Sequence, residues 1–373
     1  MLVIGAGITG AMIADALSAA GLKVAVVDKR GPAKGSTTAS TALVQYEIDT
    51  PLSQLSRKIG KADAVRAWRR SKLAVDALKV RFGKLKNVDL AYRDTLYLAG
   101  NDLDRRGLAH EHVARRAAGF ASRYLDQKTL RMDFGIERAA ALLSYENMVI
   151  DPRKTTLALL CTATEQGAKL FAPVEIVGIN AERSGVTVMA ANGKMARCRQ
   201  LVFATGYELP DCVPRAGHKI HSTWAFATVA QPRQLWRQQC TIWEASDPYL
   251  YIRTTSDGRV ICGGEDEEFA DEERRDALLA RKTAILRRKL GRLLPRIDTT
   301  VAFAWTGTFG GTPTGLPTIG RVPSMPNCWV ALGYGGNGIS YARVAADIIC
   351  GALTGRSDID ADLYDFPQAS PRS

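Results

Sequence analysis

One glycine-rich turn near the start of the chain constrains the fold more than any other feature. Gly5, Gly7 and Gly10 are spaced as G-x-G-x-x-G directly after the first apolar run, and Asp28 ends the apolar run that follows. This arrangement is typical of a βαβ unit whose glycines make the tight turn, admit a pyrophosphate and let helix and strand pack closely. The helix N-terminus offers N–H groups to the phosphates, and the acid accepts hydrogen bonds from a ribose. The pattern therefore predicts a dinucleotide site.

The composition is that of an ordinary globular protein. Of 373 residues, 46% are hydrophobic and 24% are charged, which excludes disordered and fibrous classes, and the length suits one large α/β unit or two co-folded domains. Seven dispersed cysteines without a C-x-x-C pair, and only four histidines, argue against a disulfide framework and a metal site. No segment reads as a transmembrane helix or a signal peptide. We therefore expect a metal-free cytoplasmic protein.

The net charge of +12 is concentrated in two segments. Residues 57–72 carry +6 and residues 271–296 carry +5, and both segments have the apolar spacing of amphipathic helices. Solvated helix faces are the simpler interpretation, and an anionic partner such as a membrane surface or an acidic protein is the alternative. Nucleic acid is not an expected partner, and peripheral membrane contact stays open.

Two later turns indicate which dinucleotide binds. An Ala-Thr-Gly turn at 204–206 follows a second apolar strand, and the sequence GYGGNGI at 333–339 leads from an apolar strand into a helix. A nicotinamide enzyme has no use for a third such turn, whereas a flavin needs N–H donors at its N1–C2=O edge as it gains electrons. The turns therefore favour FAD. An NAD-dependent dehydrogenase stays the alternative, and Asp28 disfavours NADP because it repels the 2′-phosphate.

These motifs, together with GSTTASTALVQYEID at 35–49 and APVEI at 172–176, resemble one family along nearly the whole chain. It is the family of FAD-dependent amine and D-amino-acid oxidoreductases, which includes D-amino-acid oxidase, glycine oxidase, sarcosine oxidase and D-amino-acid dehydrogenases. The resemblance implies an α/β fold with a Rossmann-like FAD-binding domain built from discontinuous segments. A second domain containing an antiparallel sheet is expected to cover the flavin.

The predicted elements divide the chain into interleaved segments. Hydrophobic periodicity indicates helices at 10–20, 51–82, 101–117, 152–167 and 339–353. It indicates strands at 22–27, 88–99, 170–190, 219–230, 247–264 and 328–333. Because βαβ elements lie at both ends and in the middle, the FAD-binding domain is expected at 1–85, 150–215 and 300–373. The β-rich inserts at 86–149 and 216–299 form the expected substrate domain.

The glycine turns and the resemblance together assign a set of residues to FAD. In the family, the Ser/Thr-rich loop runs along the pyrophosphate and flavin, and the strand corresponding to 172–176 flanks the adenine. Where sarcosine-oxidase-like members carry the cysteine of a covalent flavin, this chain has Trp305, so the resemblance implies non-covalent FAD. The predicted cofactor residues are Gly5, Gly7, Ile8, Thr9, Gly10, Asp28, Lys29, Arg30, Ser36, Thr37, Thr38, Ala39, Ser40, Thr41, Ala42, Val174, Ala204, Thr205, Gly206, Gly307, Gly336, Asn337, Gly338 and Ile339.

The resemblance implies an FAD-dependent oxidase or dehydrogenase acting on a CH–NH or CH–NH2 group. Hydride passes from the carbon next to nitrogen to flavin N5, and the resulting imine is hydrolysed, so the protein supplies orientation and desolvation. A flavoprotein that oxidises a hydroxy acid, or that only relays electrons, is the alternative. Oxygen and a quinone both stay open as the electron acceptor.

Three residues are the predicted substrate contacts. Tyr251 and Arg253 share one face of a strand, where a guanidinium can pair a carboxylate or phosphate, and Tyr46 follows the flavin loop. A surface arginine capping the Asp257 hairpin is an equal alternative for Arg253, and core packing is one for Tyr46. Glycine-oxidase-like relatives anchor the substrate carboxylate with the arginine of a W-x-G-x-R pattern, where this chain has Phe309. The resemblance therefore disfavours a simple α-amino acid and favours a larger or differently charged amine.

Overall fold

The computed structural model describes residues 1–215 and 217–366; Ala216 and residues 367–373, which the expected domain ranges include, lie outside the described residues. The strands are β1 (Leu2–Ile4), β2 (Ala25–Val27), β3 (Leu43–Val44), β4 (Ala91–Leu98), β5 (Ser122–Asp126), β6 (Ala140–Val149), β7 (Lys169–Phe171), β8 (Ile176–Glu182), β9 (Gly185–Ala190), β10 (Met195–Cys198), β11 (Leu201–Phe203), β12 (Lys219–Thr228), β13 (Thr241–Glu244), β14 (Leu250–Thr254), β15 (Val260–Glu267), β16 (Val301–Gly311), β17 (Thr318–Arg321) and β18 (Cys328–Leu332). The α-helices are α1 (Ile8–Ala19), α2 (Ser36–Ala39), α3 (Leu52–Ile59), α4 (Lys61–Phe82), α5 (Arg105–Ala117), α6 (Gln127–Thr129), α7 (Pro152–Glu165), α8 (Glu272–Ala277), α9 (Leu279–Leu293) and α10 (Gly338–Leu353).

In the described part of the chain, six strands form a sheet in the order β17-β18-β11-β1-β2-β7, and all its neighbours are parallel except β17 and β18. Ile4 of β1 pairs with Phe203 of β11, and Phe203 pairs with Val330 of β18. The carboxyl ends of these strands therefore meet at one edge, and the three glycine-containing turns that follow them emerge side by side. Ligands bind at such an edge in doubly wound folds.

A second sheet within the described ranges contains nine strands in the order β16-β12-β15-β14-β13-β4-β6-β3, with β5 on β6. Its neighbours are antiparallel except β13 and β4. Helix α9 covers one face, where Leu286 and Leu290 pack against a core that includes Trp224, Phe226 and Ile252. Trp224 and Phe226 are fully buried there. The opposite face is directed toward the glycine turns.

The predicted fold class is confirmed: an α/β protein with a Rossmann-like sheet of discontinuous segments and a second, largely antiparallel sheet. The sheets also bear on the expected domain ranges. Strand β16 pairs with β12 along most of its length, so residues 301–311 lie in the larger sheet, although the expected division assigns them to the FAD-binding domain. The short β3 pairs with β6 and likewise brings residues 43–44 to that sheet.

Several element boundaries differ from the predicted ones for local reasons. The long helix predicted over 51–82 is divided at Gly60, whose φ of +88° interrupts the helix between α3 and α4. The strand predicted over 170–190 is three strands, because the chain reverses between Glu182 and Gly185. The Gly/Ser/Thr-rich loop contains the short helix α2.

The two basic segments form the helix pairs α3–α4 and α8–α9. Part of their charge is neutralised within the chain, since Arg66 contacts Asp360 and Asp362, and Arg70 contacts Asp358. These contacts favour the interpretation of the basic segments as ordinary helix faces. None of the helices in the described ranges has both the length and the apolar character required to cross a membrane.

Candidate active site

A cavity of about 770 Å³ lies between the turn edge of the six-stranded sheet and the inner face of the nine-stranded sheet. Its walls come from the turn after β1, the loop after β2, the turns after β11 and β18, and strands β12, β13, β14 and β16. Ligand clefts commonly measure roughly 300–1,000 Å³. The segments predicted to bind a dinucleotide therefore border one space of suitable size.

The first glycine turn is shaped by close backbone approach. A Cβ on Gly5, whose φ is +110°, would lie 2.3 Å from the carbonyl oxygen of Ala204, and one on Gly10 would lie 1.9 Å from the oxygen of Gly5. At Gly7 the nearest atom to such a Cβ is Thr37 Oγ1, at 3.0 Å. Gly5 and Gly10 are thus required by the fold, whereas Gly7 keeps the cavity side of the turn open, as a pyrophosphate requires.

Asp28 connects the first turn with the end of β2. One carboxylate oxygen accepts a 2.8 Å hydrogen bond from the N–H of Ala6. The other accepts 2.8 Å hydrogen bonds from the backbone N–H groups of Arg30 and Gly31. A carboxylate offers about four lone-pair sites, so the acceptor capacity expected for a ribose remains. Asp28 also lines the cavity, and it therefore combines a structural role with the predicted binding role.

The loop after β2 is held against the nine-stranded sheet at two points. The indole N–H of Trp305 donates to the carbonyl of Ala39 at 2.9 Å, and Nε of Arg253 donates to the carbonyl of Thr41. At the start of the loop the Ile8 N–H donates to Thr37 Oγ1 at 3.0 Å. The predicted flavin loop is therefore fixed by both sheets at once.

The turn after β18 is bound by a carboxyl that the sequence did not indicate. The N–H of Gly336 donates to Asp49 Oδ2 at 2.6 Å, and the Asp49 N–H donates to Asn337 Oδ1 at 3.0 Å. Asn337 in turn donates to the carbonyl of Glu47 at 2.8 Å. Burial raises the pKa of Asp49 to about 6, against the lowering effect of the Gly336 N–H. Asp49 lines the cavity at the start of α10.

Nearly all predicted cofactor residues line this cavity; Gly10 and Thr38 do not. Gly10 packs against the backbone of Gly5 and not against the cavity. The Thr38 hydroxyl donates to the carbonyl of Gly35 at 3.0 Å. The Val174 N–H donates to the carbonyl of Asp28 at 2.8 Å, which leaves the Val174 carbonyl for an adenine. The buried hydroxyl of Thr205 has no hydrogen-bond partner among the described residues, as suits a group awaiting a polar ligand.

The far end of the cavity is aromatic. The rings of Tyr249 and Tyr251 lie 5.7 Å apart, and the Tyr251 hydroxyl lies 3.0 Å from Thr223 Oγ1. Opposite Tyr251, a Cβ on Gly263 would lie 2.3 Å from the phenol ring, so glycine is needed for the ring to lie across β15. Trp243 also lines this end. We call the part of the cavity lined by these residues the substrate end.

Other residues that sequence reasoning did not place in the site complete the substrate end. Phe309, which the sequence indicated only as the missing anchor, lines the cavity and stacks on His221 with ring centroids 5.2 Å apart. His218 lines the cavity too, and burial lowers its pKa. A histidine or phenylalanine on a strand is usually a packing residue, so the sequence offered no signal that separated Phe309 and His218 from core residues.

Of the three predicted substrate contacts, the structure places only Tyr251 in the cavity wall. Arg253 does continue the face of Tyr251, but β14 leads it to the flavin loop, where it is 7% exposed and binds the carbonyls of Thr41 and Thr254. Burial lowers the pKa of Arg253 to about 10. The guanidinium is thus committed to backbone oxygens, and we do not retain it as a substrate anchor.

Tyr46 lies on the other side of its segment. Leu43 and Gln45 line the cavity, whereas Tyr46 is buried in the core, stacked on Phe120 at 5.9 Å and in edge contact with Trp68. Successive side chains of an extended segment point to opposite faces, so Gln45 faces the cavity in place of Tyr46. The core-packing alternative for Tyr46 agrees with this position.

The fold and the cavity define a class of protein. A Rossmann-like sheet with three turns directed at one ligand cavity, closed by a largely antiparallel sheet, is the arrangement of a flavin-dependent oxidoreductase. The chain belongs to the FAD dependent oxidoreductase family, whose model matches residues 1–352. FAD is therefore its cofactor, and the NAD alternative is set aside.

Two curated relatives align with the chain. Glycine oxidase of Pseudomonas putida is 25% identical over 198 residues, which are 50% of this chain and 50% of the relative. The tRNA 5-methylaminomethyl-2-thiouridine biosynthesis bifunctional protein MnmC of Cupriavidus necator is 24% identical over 409 residues, covering 98% of this chain and 59% of the relative. The chain thus spans about half the length of the curated relatives it matches.

Solved structures share the fold over nearly their whole length. Glycine oxidase from Geobacillus kaustophilus has a TM-score of 0.80 at 18% identity, covering 99% of this chain and 98% of its own. L-proline dehydrogenase from P. horikoshii has a TM-score of 0.79 at 19% identity, covering 98% of this chain and 96% of its own. Iminodiacetate oxidase from Chelativorans sp. BNC1 has a TM-score of 0.79 at 18% identity, covering 99% of this chain and 100% of its own. At these identities the likeness shows the fold alone.

Proposed function

We propose that this oxidoreductase acts on an amine or amino acid, at the C–H bond next to nitrogen. The observation that carries the proposal is the continuity of the cavity: the space bordered by the three glycine turns runs on to Tyr249 and Tyr251 of the second sheet. A small molecule at that end would lie beside the cofactor and be enclosed by aromatic rings. The names of relatives with this fold, glycine oxidase and iminodiacetate oxidase, support an amine-containing substrate.

Bound FAD would supply the two-electron acceptor: a hydride leaves the carbon next to nitrogen, and water hydrolyses the imine that results. The chain's own residues orient the substrate and exclude water. Burial raises the pKa of Tyr249 and of Tyr251, so both phenols stay protonated at neutral pH and can donate hydrogen bonds. Thr223 fixes the Tyr251 hydroxyl at 3.0 Å.

The residues that would hold FAD fall into three groups. The turn at Gly5–Gly10 and the loop at 35–42 border the expected pyrophosphate position, Val174 and Asp28 border the adenosine, and the turn at 335–339 borders the flavin. The Trp305 indole is bound to the carbonyl of Ala39 where a covalent link is expected in some relatives, which supports non-covalent FAD. Acid precipitation that releases the yellow cofactor would agree with this; flavin retained on the polypeptide would contradict it.

An anaerobic substrate screen tests the function. Purified holoenzyme is mixed with amines, α-amino acids, N-substituted amino acids and hydroxy acids, and the flavin absorbance near 450 nm is followed. Bleaching by nitrogen compounds alone, with the corresponding carbonyl product recovered, is the expected result. Bleaching only by hydroxy acids, or by no compound although dithionite reduces the flavin, would replace the proposal with the hydroxy-acid or electron-relay alternative.

The proposal extends to the electron acceptor and the cellular setting. Oxygen or a quinone would reoxidise the flavin, and rapid mixing of the reduced enzyme with each distinguishes them. The dispersed cysteines favour a reducing compartment such as the cytoplasm, which cell fractionation tests. The partial pairing of the basic helices within the chain supports the expectation that nucleic acid is not a partner. Salt-dependent binding to RNA or to anionic vesicles would contradict the interpretation of these helices as solvated faces.

A further inference from the structure

The substrate end of the cavity lacks a positive charge. Among the described residues that line the cavity, Lys29 and Arg30 are the side chains that carry one at neutral pH. Both lie at the end of β2 and pair with Glu208 at 2.5 and 2.6 Å, near the ribose-binding Asp28 and away from the aromatic rings. Arg275 does not line the cavity. It donates to the hydroxyl of the lining residue Thr308 at 2.6 Å and also to the carboxylate of Asp276 at 2.9 Å. Among the described residues, no cationic side chain at this end is thus placed to pair with a substrate carboxylate.

A β-bulge directs a carboxyl toward the substrate end instead. Between β12 and β15 the register places Ser222 opposite Glu267 and Trp224 opposite Gly264. The two residues 265 and 266 therefore lie opposite the single Thr223, and Glu265 has a φ of +59°. Bulges of this kind re-aim side chains and are common next to active sites.

The bulge decides which of two neighbouring acids lies on the cavity side of the sheet. Glu265 pairs with Lys289 of α9, on the far face of the sheet. Asp266 is therefore turned to the near face, beside Thr223 and Tyr249, which line the cavity and whose hydroxyls lower the pKa of Asp266. Without the bulge the regular alternation of the strand would place Glu265 on the cavity face.

The Asp266 carboxyl is buried behind the part of the cavity wall formed by Thr223 and Tyr249. Both carboxyl oxygens are inaccessible to solvent, and among the described residues no lysine or arginine forms a salt bridge with them. Burial raises the pKa of Asp266 to about 6, with a further rise from the nearby Asp49. Lys282 acts in the other direction, but it donates to the carbonyl of Glu265 at 2.7 Å and pairs with Glu267 at 2.7 Å. A buried carboxylate without a salt-bridge partner is costly, and a cation bound in the cavity beside Thr223 and Tyr249 would relieve part of that cost.

The surrounding rings suit the same ligand. Tyr249, Tyr251 and Trp243 line this end, and the faces of such rings attract ammonium groups. Asp49, which also lines the cavity, raises the pKa of Tyr249 as well as that of Asp266, so both carboxyls add negative potential to this end. Aromatic rings near two acids, with no lysine or arginine at this end among the described residues, describe a site for positive charge.

We infer that the substrate end recognises an ammonium group rather than a carboxylate, with Asp266 as the specificity-determining residue. The substrate class is then an amine without a carboxyl group on the reacting carbon. This inference rests on the proposed function, since it names the substrate class of the same site. It also agrees with Phe309 at the position where the resemblance to glycine-oxidase-like proteins would place an arginine.

Spectral titration of the oxidised holoenzyme tests the inference without turnover. Benzyltrimethylammonium is a permanent cation with no nitrogen lone pair, so it cannot be oxidised to an imine; benzoate is an anion of similar size, and benzyl alcohol is the neutral reference. Flavin absorbance reports binding of each. We expect a Kd for the cation at least tenfold lower than that for benzoate. Tighter binding of benzoate, or no binding of the cation, would overturn the inference.

Two matched variants assign the effect to one carboxyl. Asp266→Asn should weaken benzyltrimethylammonium at least fivefold and leave benzyl alcohol unchanged, with FAD content intact. Glu268→Gln is the control, because Glu268 is exposed and pairs with Lys219 at 2.9 Å, and it should leave all three ligands unchanged. Equal losses in both variants would contradict a specific role for Asp266. If Asp266→Asn does not retain FAD, the comparison of ions on the unaltered enzyme decides alone.

A substrate pair separates this inference from the proposed function. Benzylamine and phenylglycine differ by one carboxyl group, and anaerobic flavin reduction should be at least tenfold more efficient with benzylamine. Efficient reduction by phenylglycine, together with tight benzoate binding, would overturn the inference and leave the proposed function standing. Reduction by no nitrogen compound, with tight binding of the cation, would overturn the proposed function alone.

Discussion

The backbone N–H of Gly336 donates a 2.6 Å hydrogen bond to the carboxyl of Asp49. This N–H belongs to the turn that opens α10, where the sequence predicts donors for the flavin edge that gains negative charge on reduction. A carboxylate at this point opposes that charge. A Cβ on Gly335 or Gly336 would lie 2.7 or 3.0 Å from the Asp49 oxygens, so the glycines make the close approach possible.

The first prediction follows from this contact. Asp49→Asn retains an acceptor for the Gly336 N–H but removes the negative charge, so the flavin midpoint potential at pH 8 should rise. A tenfold change in the equilibrium of a two-electron couple is about 30 mV, and we expect a shift of at least that size in dye-coupled reduction. Because burial raises the pKa of Asp49 to about 6, the difference should shrink at pH 5. An equal potential at pH 8 would contradict the prediction.

The cofactor side of the site could be predicted from the sequence because phosphates and close backbone contacts demand particular residue types. Gly5 and Gly10 are glycines since a Cβ at either position would lie within 2.3 Å of a carbonyl oxygen. Such demands are local in sequence, and the G-x-G-x-x-G spacing records them. The same holds for the turn at 333–339, which follows β18 directly.

The substrate side could not be predicted in the same way. The sequence correctly predicted that Tyr251 and Arg253 share one face of a strand. Strand periodicity does not say what each side chain on that face contacts, and in the structure Arg253 donates to the carbonyl of Thr41. Asp266 could not be predicted because a bulge changes which acid of β15 lies on the cavity side of the sheet. Asp49 meets Gly336 across 287 residues of sequence, a pairing that no local pattern reveals.

A second prediction separates two glycines of the first turn. Gly10→Ala would place a Cβ 1.9 Å from the backbone of Gly5, so both the thermal midpoint of the apoprotein and the FAD content should fall. Gly7→Ala meets only the Thr37 hydroxyl at 3.0 Å and should leave the apoprotein within a few degrees of the parent while FAD content falls. Thermal unfolding and the ratio of absorbance at 450 and 280 nm give both readouts. A Gly7→Ala protein with full FAD would contradict the placement of the pyrophosphate.

A third prediction concerns Arg253, which the structure ties to the flavin loop. A hydrogen bond involving a charged group contributes about 1.5–3 kcal/mol, so Arg253→Ala should weaken FAD binding by roughly 10- to 100-fold, measured by titration of apoprotein. Arg259→Ala is the control, because Arg259 pairs with Asp257 on the neighbouring hairpin and should retain normal FAD affinity. A loss of substrate reduction with unchanged FAD affinity would instead restore Arg253 as a substrate anchor.

The last prediction concerns the pH dependence of cation binding. Burial raises the pKa of Asp266 to about 6, and a carboxyl with that pKa is ionised roughly one-tenth at pH 5 and nine-tenths at pH 7. Because the ionised form attracts the ligand, affinity for benzyltrimethylammonium should increase several-fold, and at most about tenfold through this carboxyl, between pH 5 and 7 and then level off. Burial lowers the pKa of His218, so protonation of this neighbour is confined to the acidic side of its ordinary range, where it would also weaken cation binding, and Lys282 remains paired with Glu267. In Asp266→Asn the rise should be much smaller, with the remainder due to Asp49. Affinity that is independent of pH in the parent enzyme, or an unchanged rise in the variant, would show that this carboxyl does not act on the ligand.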